Sequence, residues 1–229
     1  MIYYCATGYV GYSPSLNTVV VAHQGTNPES LYVKEQSFLI GVANLLDHHS
    51  YADLTDAEFP RSSLDSSLFP GVSSSIEVHD GFQDDHAQTA PTILSAVASA
   101  MDQYETTSVV LTGHSLGAAL ALLDAVYLPL HLPSDTQFKT FAYGLPRVGN
   151  QAFADYVDSH ITNLDGGTGL TRITNKKDPI PTTPGMFLGF HHPSGEIHIE
   201  DNNAWDACPG KSNKMFWENK QSNHFTRPR

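Results

Sequence analysis

Positive charge is scarce in this sequence. Lysine and arginine together number 12 of 229 residues, against 24 aspartates and glutamates, and the net charge is −12. Nucleic acids and anionic membrane surfaces bind clusters of basic residues, so this balance argues against a nucleic-acid partner and against electrostatic attraction to an anionic membrane. A neutral ester, or an oil–water interface, remains open as a target.

Cysteines and long apolar runs are also scarce. Cys5 and Cys208 are the only cysteines, so at most one intramolecular disulfide can form, and the sequence does not decide whether they meet. No apolar run approaches the roughly 18 residues of a transmembrane span. Residues 1–4 carry neither the basic nor the long apolar region of a secretory signal, which predicts either a cytosolic protein or a chain without its beginning.

The remaining composition suits one globular domain. Hydrophobic residues make up 40% of the chain, and its length fits one large core over residues 1–229. Strand-like and helix-like stretches alternate, which predicts an α/β fold with a mainly parallel central sheet and flanking helices. The predicted strands cover residues 18–22, 108–112, 138–143 and 171–174, and the predicted helices cover residues 84–101, 116–128 and 152–159.

The sequence GHSLG at residues 113–117 follows one of these strands and precedes a helix. A glycine on each side of the serine allows a turn too tight for larger side chains. Such a turn lifts the hydroxyl of Ser115 above the sheet edge and points the first amides of the next helix toward it. The pattern therefore predicts Ser115 as the nucleophile of a serine hydrolase.

A serine nucleophile needs a base, and the base needs a carboxylate, in the chain order Ser, Asp or Glu, His. Asp178 is the favoured carboxylate because it follows the predicted strand at residues 171–174; Asp155 and Asp158 fit the solvated face of a helix. His224, in a polar segment near the end of the chain, is the default base. The other histidines after Asp178 remain alternatives, namely His191, His192 and His198.

Two backbone amides are expected to stabilise the oxyanion of the reaction. The first belongs to Leu116, the residue after the nucleophile. The second is expected from an early loop between a strand and a helix, where Gly25-Thr26 follows the first predicted strand, and Thr26 is the predicted donor. No cluster of histidine, cysteine or carboxylate has the spacing of a metal site, so neither a metal nor an organic cofactor is expected.

With these residues in place, the chain resembles the fungal-type class 3 lipases of the α/β-hydrolase superfamily. The resemblance rests on VVVAHQGT at 19–26, HDGF at 79–82, the GHSLG turn, YGLPRVGN at 143–150, residues 172–181 and HPSGEIHI at 192–199. It implies Ser115 and Asp178 in a catalytic triad, Thr26 and Leu116 at the oxyanion, secretion and a mobile lid. It also implies structural roles for His192 and His198, which favours His224 as the base.

The chain departs from the family pattern in three places. It lacks a signal peptide and the helical segment that usually precedes the first strand, so the domain is predicted to be incomplete at its N-terminus. Residues 32–51 and 211–229 are atypical. Residues 37–46 fit an apolar lid helix, but both atypical segments also fit translated introns, since the codons around residues 31–33 and 210–212 can contain intron-start sequences.

The predicted reaction is hydrolysis of lipid carboxylic esters, as in a triacylglycerol lipase, through an acyl-enzyme on Ser115. The expected partner is a lipid or other ester, at an oil–water interface, with the protein acting as a monomer. Two alternatives stay open. One is an esterase for feruloyl or short-chain esters with the same triad, and the other is a catalytically incomplete protein of the same fold.

Overall fold

The computed structural model describes residues 3–5, 8–25 and 59–208. Ten strands and three α-helices lie in these ranges. In chain order they are β1 (Tyr3–Cys5), β2 (Gly8–Ser13), β3 (Thr18–His23), β4 (Arg61–Ser63), β5 (Glu77–His79), α1 (Asp80–Tyr104), β6 (Ser108–His114), α2 (Leu116–Tyr127), β7 (Gln137–Tyr143), α3 (Gln151–Val157), β8 (Leu170–Asn175), β9 (Glu196–Ile199) and β10 (Trp205–Cys208).

Eight strands form one mixed sheet in the order β1-β2-β3-β6-β7-β8-β9-β10. The neighbours from β3 to β9 pair in parallel, whereas β1, β2 and β10 pair antiparallel at the two edges. The predicted mainly parallel sheet is therefore confirmed. Because parallel strands end at the same edge, the loops that follow β3, β6, β7 and β8 come together there.

The central strands are buried because a helix covers them. Val19 and Val21 of β3 and Val109 and Leu111 of β6 are almost completely buried, as are all twelve residues of α2. An apolar run on a central parallel strand is expected where both faces of the sheet are covered. The same core fixes the position of α2 against the sheet. Among the helices of the described ranges, none combines the length and the apolar character needed to cross a lipid bilayer.

The sheet order decides whether the two cysteines can pair. Cys5 ends β1 and Cys208 ends β10, which are the opposite edges of the eight-stranded sheet. Seven strand spacings of about 4.8 Å separate these edges by about 34 Å. A disulfide needs Cα atoms within about 7 Å, so an intramolecular bond between Cys5 and Cys208 is excluded.

One helix ends differently from its prediction. The helix predicted over residues 152–159 is α-helical only through α3, and Asp158–Thr162 continue as a π-helix. The wider turn brings Asp158 inward, where it is buried and accepts hydrogen bonds from the amide and hydroxyl of Ser194 at 2.7 and 3.0 Å. The prediction that Asp158 lies on a solvated face was wrong, whereas Asp155 is exposed.

Candidate active site

Ser115 occupies the single residue between β6 and α2. Its backbone has φ 56° and ψ −124°, a region that is unfavourable for a residue with a side chain. The amide of Ser115 donates to the carbonyl of Tyr143 at 3.0 Å, and its carbonyl accepts from the amide of Ala118 at 2.9 Å. These bonds hold the strained turn in place. The predicted strand–turn–helix around Ser115 is confirmed.

Both glycines of the turn are required by close backbone contacts. A Cβ atom on Gly113 would clash with the carbonyl oxygen of Gly117. A Cβ atom on Gly117 would lie 2.5 Å from the carbonyl oxygen of His23 and 2.7 Å from that of Gln24. The first contact closes the turn itself. The second brings the end of β3 directly against the first turn of α2.

The N-terminus of α2 faces this turn. Leu116 is the first residue of the helix, and the first amides of a helix have no acceptor within it. The aligned peptide dipoles add partial positive charge at the same end, so a developing negative charge is stabilised there. The side chain of Leu116 is buried, whereas the neighbouring Ser115 is half-buried.

The loop after β3 runs alongside the same turn. A Cβ atom on Gly25 would lie 2.9 Å from the carbonyl oxygen of His114, so only glycine permits this approach. Thr26, the predicted second oxyanion donor, lies outside the described residues. The described part of the loop therefore leads to the turn at Ser115, and the role of Thr26 stays a prediction.

Asp178 lies in the loop that follows β8. Its amide donates to the carbonyl of Asn175 at 3.0 Å, and its Oδ1 atom accepts from the amide of Ile180 at 3.0 Å. The other oxygen, Oδ2, points toward Gly144, where a Cβ atom would lie 3.0 Å from it. The same position is 3.3 Å from Nε2 of His114. The carboxylate of Asp178 and the residue beside Ser115 thus converge on Gly144.

Arg147 supports the loop that carries Asp178. Its side chain is buried and donates to the carbonyls of Thr182 and Pro184, the latter at 2.8 Å, while its amide donates to the carbonyl of Thr183 at 2.7 Å. Burial, together with the charge of Arg172, lowers the pKa of Arg147 to about 10.

His192 supports the same loop from another side. Its Nε2 atom donates to the carbonyl of Pro181 at 2.8 Å, and the residue is buried. Burial and the nearby charges of Arg172 and Arg147 lower its pKa well below 6.5. A histidine held in this way maintains the position of the loop after Asp178. This geometry agrees with the structural role that the resemblance implied for His192.

The other predicted bases have different surroundings. His198 lies on β9, with Nδ1 2.9 Å from the hydroxyl of Thr174. Burial and the charges of Arg147 and Arg61 lower the pKa of the half-buried His191. His224 and the segment 211–229 lie outside the described residues, as does the segment 32–51. The assignment of His224 as the base stays a prediction.

The sequence prediction missed a buried cluster behind this site. Asp124 of α2 lies within hydrogen-bond distance of His23, at the end of β3, and of His86, on α1. The signal in the sequence was an aspartate inside an otherwise apolar helix, but its partners lie 101 and 38 residues away. Over residues 3–5, 8–25 and 59–208, no group of three histidine, cysteine or carboxylate side chains is arranged to hold a metal ion.

Comparison with known proteins identifies the family of this chain. The sequence family Lipase (class 3) matches residues 20–188. A secreted mono- and diacylglycerol lipase of Malassezia restricta is 35% identical over 152 residues, which cover 66% of this chain and 47% of that protein. The chain thus spans about half the length of this relative.

Two solved structures share the fold. A fungal lipase–inhibitor complex superposes with a TM-score of 0.69 at 27% identity, covering 93% of this chain and 72% of the other. A triacylglycerol lipase whose catalytic centre is described as a serine protease triad superposes with a TM-score of 0.64 at 30% identity, covering 88% and 66%. The predicted α/β-hydrolase fold is confirmed, and the chain belongs to the class 3 lipase family.

Proposed function

We propose that this chain is a serine hydrolase that cleaves the carboxylic ester bonds of lipids, as triacylglycerol lipases do. The observation that carries the proposal is the strained turn at Ser115, with the carboxylate of Asp178 directed toward the adjoining Gly144. A serine held at φ 56° costs stability, and such strain is typical of residues held for catalysis. The mono- and diacylglycerol lipase and the triacylglycerol lipase to which the chain is similar support lipid esters as the substrate class.

In the proposed reaction, His224 removes the proton of the Ser115 hydroxyl as the oxygen attacks the ester carbonyl. The amides of Leu116 and Thr26 stabilise the negative charge on the carbonyl oxygen. The C–O bond of the ester then breaks, the alcohol leaves with the proton from His224, and the acyl group stays on Ser115. Water, activated by His224, releases the carboxylic acid in the second half. Asp178 holds the imidazole in the required tautomer.

We also propose where the enzyme acts and in which form. The exposed ring of Tyr143, beside Gly144, offers apolar surface at the site, which favours an apolar ester or an oil–water interface over a charged substrate. The names of the Malassezia relatives support secretion. One hydrophobic cluster that includes residues of β2, β3, β6, α1, α2 and α3 supports a single catalytic domain, and a monomer is expected.

The first test is labelling with a fluorescent alkylphosphonate, which reacts with an activated serine. We expect the unsubstituted protein to be labelled and Ser115→Ala to remain unlabelled. Asp178→Asn and His224→Ala are expected to slow labelling by at least about a hundredfold, because the base and its orienting carboxylate act as a unit. Absence of labelling in folded, unsubstituted protein would mean a catalytically incomplete domain and would overturn the proposal.

A second measurement separates the ester classes. Rates are compared on emulsified long-chain glycerides, soluble short-chain esters and feruloyl esters, with Ser115→Ala as the blank. A lipase acts fastest on the emulsified glyceride. A preference for feruloyl or short-chain esters, with labelling intact, would retain the serine hydrolase and replace the lipid substrate.

A further inference from the structure

Three buried polar side chains from three elements meet behind the candidate active site. Asp124 lies on α2, His23 ends β3, and His86 lies on α1. The two oxygens of Asp124 lie 2.6 Å from Nε2 of His23 and 2.9 Å from Nε2 of His86. None of the three side chains has any exposed surface. One carboxylate therefore joins a strand and two helices.

The chemistry of these groups fixes the direction of the hydrogen bonds. A carboxylate only accepts, so each imidazole donates from Nε2. Burial by itself opposes ionisation of Asp124, but the charge and hydrogen bonds of His23 and His86 outweigh it and lower its pKa to about 2. Asp124 is ionised at neutral pH, and charge-assisted bonds of this length are strong and directional.

Stability alone does not account for this cluster. Asp124 is the only charged residue of α2, whose other positions hold apolar side chains, glycine and one tyrosine. Burying an ionised group is costly, and apolar side chains of similar volume at such positions are often as stabilising or more so. Apolar packing is less directional than a pair of short hydrogen bonds. The cluster is therefore better explained by the positions it fixes.

The position it fixes most directly is the backbone after β3. The carbonyl oxygens of His23 and Gln24 contact the first turn of α2 so closely that Gly117 cannot carry a side chain. Gly25, in turn, lies against the carbonyl of His114. Asp124 holds His23 from the same helix that begins at the nucleophile turn, eight residues after Leu116 and about 12 Å along the helix axis.

We propose that Asp124, His23 and His86 are positioning residues that fix the backbone of residues 23–25 against α2 and so set the distance between the oxyanion loop and Ser115. This inference rests on the proposed ester hydrolysis, in which that loop supplies one oxyanion amide. An error of about 1 Å in such a group can lower turnover about a hundredfold. Substrate binding before the reaction does not depend on the oxyanion contact, so KM changes little.

The decisive variant replaces the whole cluster with apolar residues: His23→Phe, His86→Leu and Asp124→Leu together. We expect its urea midpoint to equal or exceed that of the unsubstituted protein. With a soluble ester, kcat should fall about tenfold to a hundredfold while KM stays within about twofold. The affinity for a trifluoromethyl ketone, which forms a tetrahedral adduct on the serine, should fall by the same factor as kcat. A stable variant with unchanged kcat would overturn the proposal.

Single variants give a graded comparison. Asp124→Asn keeps the shape but accepts from only one imidazole while its amide nitrogen faces the other, so its kcat should lie between those of the unsubstituted and apolar proteins. The matched control is Asp158→Asn, at another buried carboxylate, which accepts hydrogen bonds from the amide and the hydroxyl of Ser194. It should lower the urea midpoint and leave kcat and KM unchanged. An equal loss of kcat in both variants would contradict positioning by Asp124.

Hydrogen exchange tests the same proposal without any activity measurement. In the apolar variant, the amides at the end of β3, which pairs with β2 and β6 up to His23, should exchange faster, while those of β7 and β8 should not change. Unchanged exchange at the end of β3 would overturn the positioning role, even if kcat fell. If the unsubstituted protein neither hydrolyses esters nor reacts with the phosphonate, the proposed function fails, and the exchange result alone decides the cluster.

Discussion

His79 makes the stability of this protein depend on pH in a predictable direction. The residue ends β5 and is 1% exposed, surrounded by the rings of Phe59, Phe82 and Phe190 at centroid distances of 6.0, 4.6 and 6.3 Å. Burial among these rings lowers its pKa from 6.5 to about 4, against a smaller opposing effect of the neighbouring Asp80. The folded protein therefore resists protonation of His79, whereas the unfolded chain does not.

The sign and size of the effect follow from this difference. Above pH 6.5 both states carry neutral His79, so the residue contributes no dependence on pH. As the pH falls below 6.5 the unfolded chain binds the proton first, and stability is lost until the folded pKa near 4 is reached. The fall of this pKa from 6.5 to about 4 corresponds to about 3 kcal/mol of unfolding free energy lost over this window.

The assay is equilibrium urea unfolding at several pH values between 8 and 4, for the unsubstituted protein and for His79→Gln. Glutamine does not titrate, so the variant should lose about 3 kcal/mol less than the unsubstituted protein on going from pH 8 to pH 4. Comparing each protein with itself at pH 8 removes the cost of the substitution. An identical pH dependence in both proteins, or an NMR titration of His79 near 6.5, would refute the reasoning.

Three further outcomes are expected. Gly117→Ala should lower stability by at least about 2 kcal/mol in urea and abolish ester hydrolysis, because the new Cβ atom meets backbone carbonyls beside the turn at Ser115. Arg147→Met should lower kcat more than it raises KM in steady-state assays, since the loop that carries Asp178 loses its buried donors; full activity would contradict that role. Leu111→Ala, at a completely buried position, should cost about 3 kcal/mol in urea without a selective loss of kcat.

Some features of this protein are specified by short stretches of sequence. The turn at Ser115 was predictable because its requirements are local: a β-branched strand, two glycines in close contact and a helix-forming run within a few residues. The central strands and α2 were predictable for the same reason, since continuous apolar runs bounded by turn residues mark buried elements. The position of Asp178 near Gly144 was predictable from its place after a strand whose end had to reach the same sheet edge, and its catalytic role stays a prediction.

Other features depend on residues far apart in the chain. Asp158 turned inward because a π-helix follows α3, and no local pattern marks that change. The strand order placed Cys5 and Cys208 at opposite edges, which sequence spacing does not encode.

The sequence by itself thus determined the fold class and the strand–turn–helix at Ser115, because neighbouring residues specify each of them. Only the tertiary structure decided what Asp124 contacts. Two imidazoles, 101 and 38 residues before it, reach its carboxylate through the packing of β3, α1 and α2. A buried charge is tolerated only where such partners meet it, and their meeting is a property of the packed core.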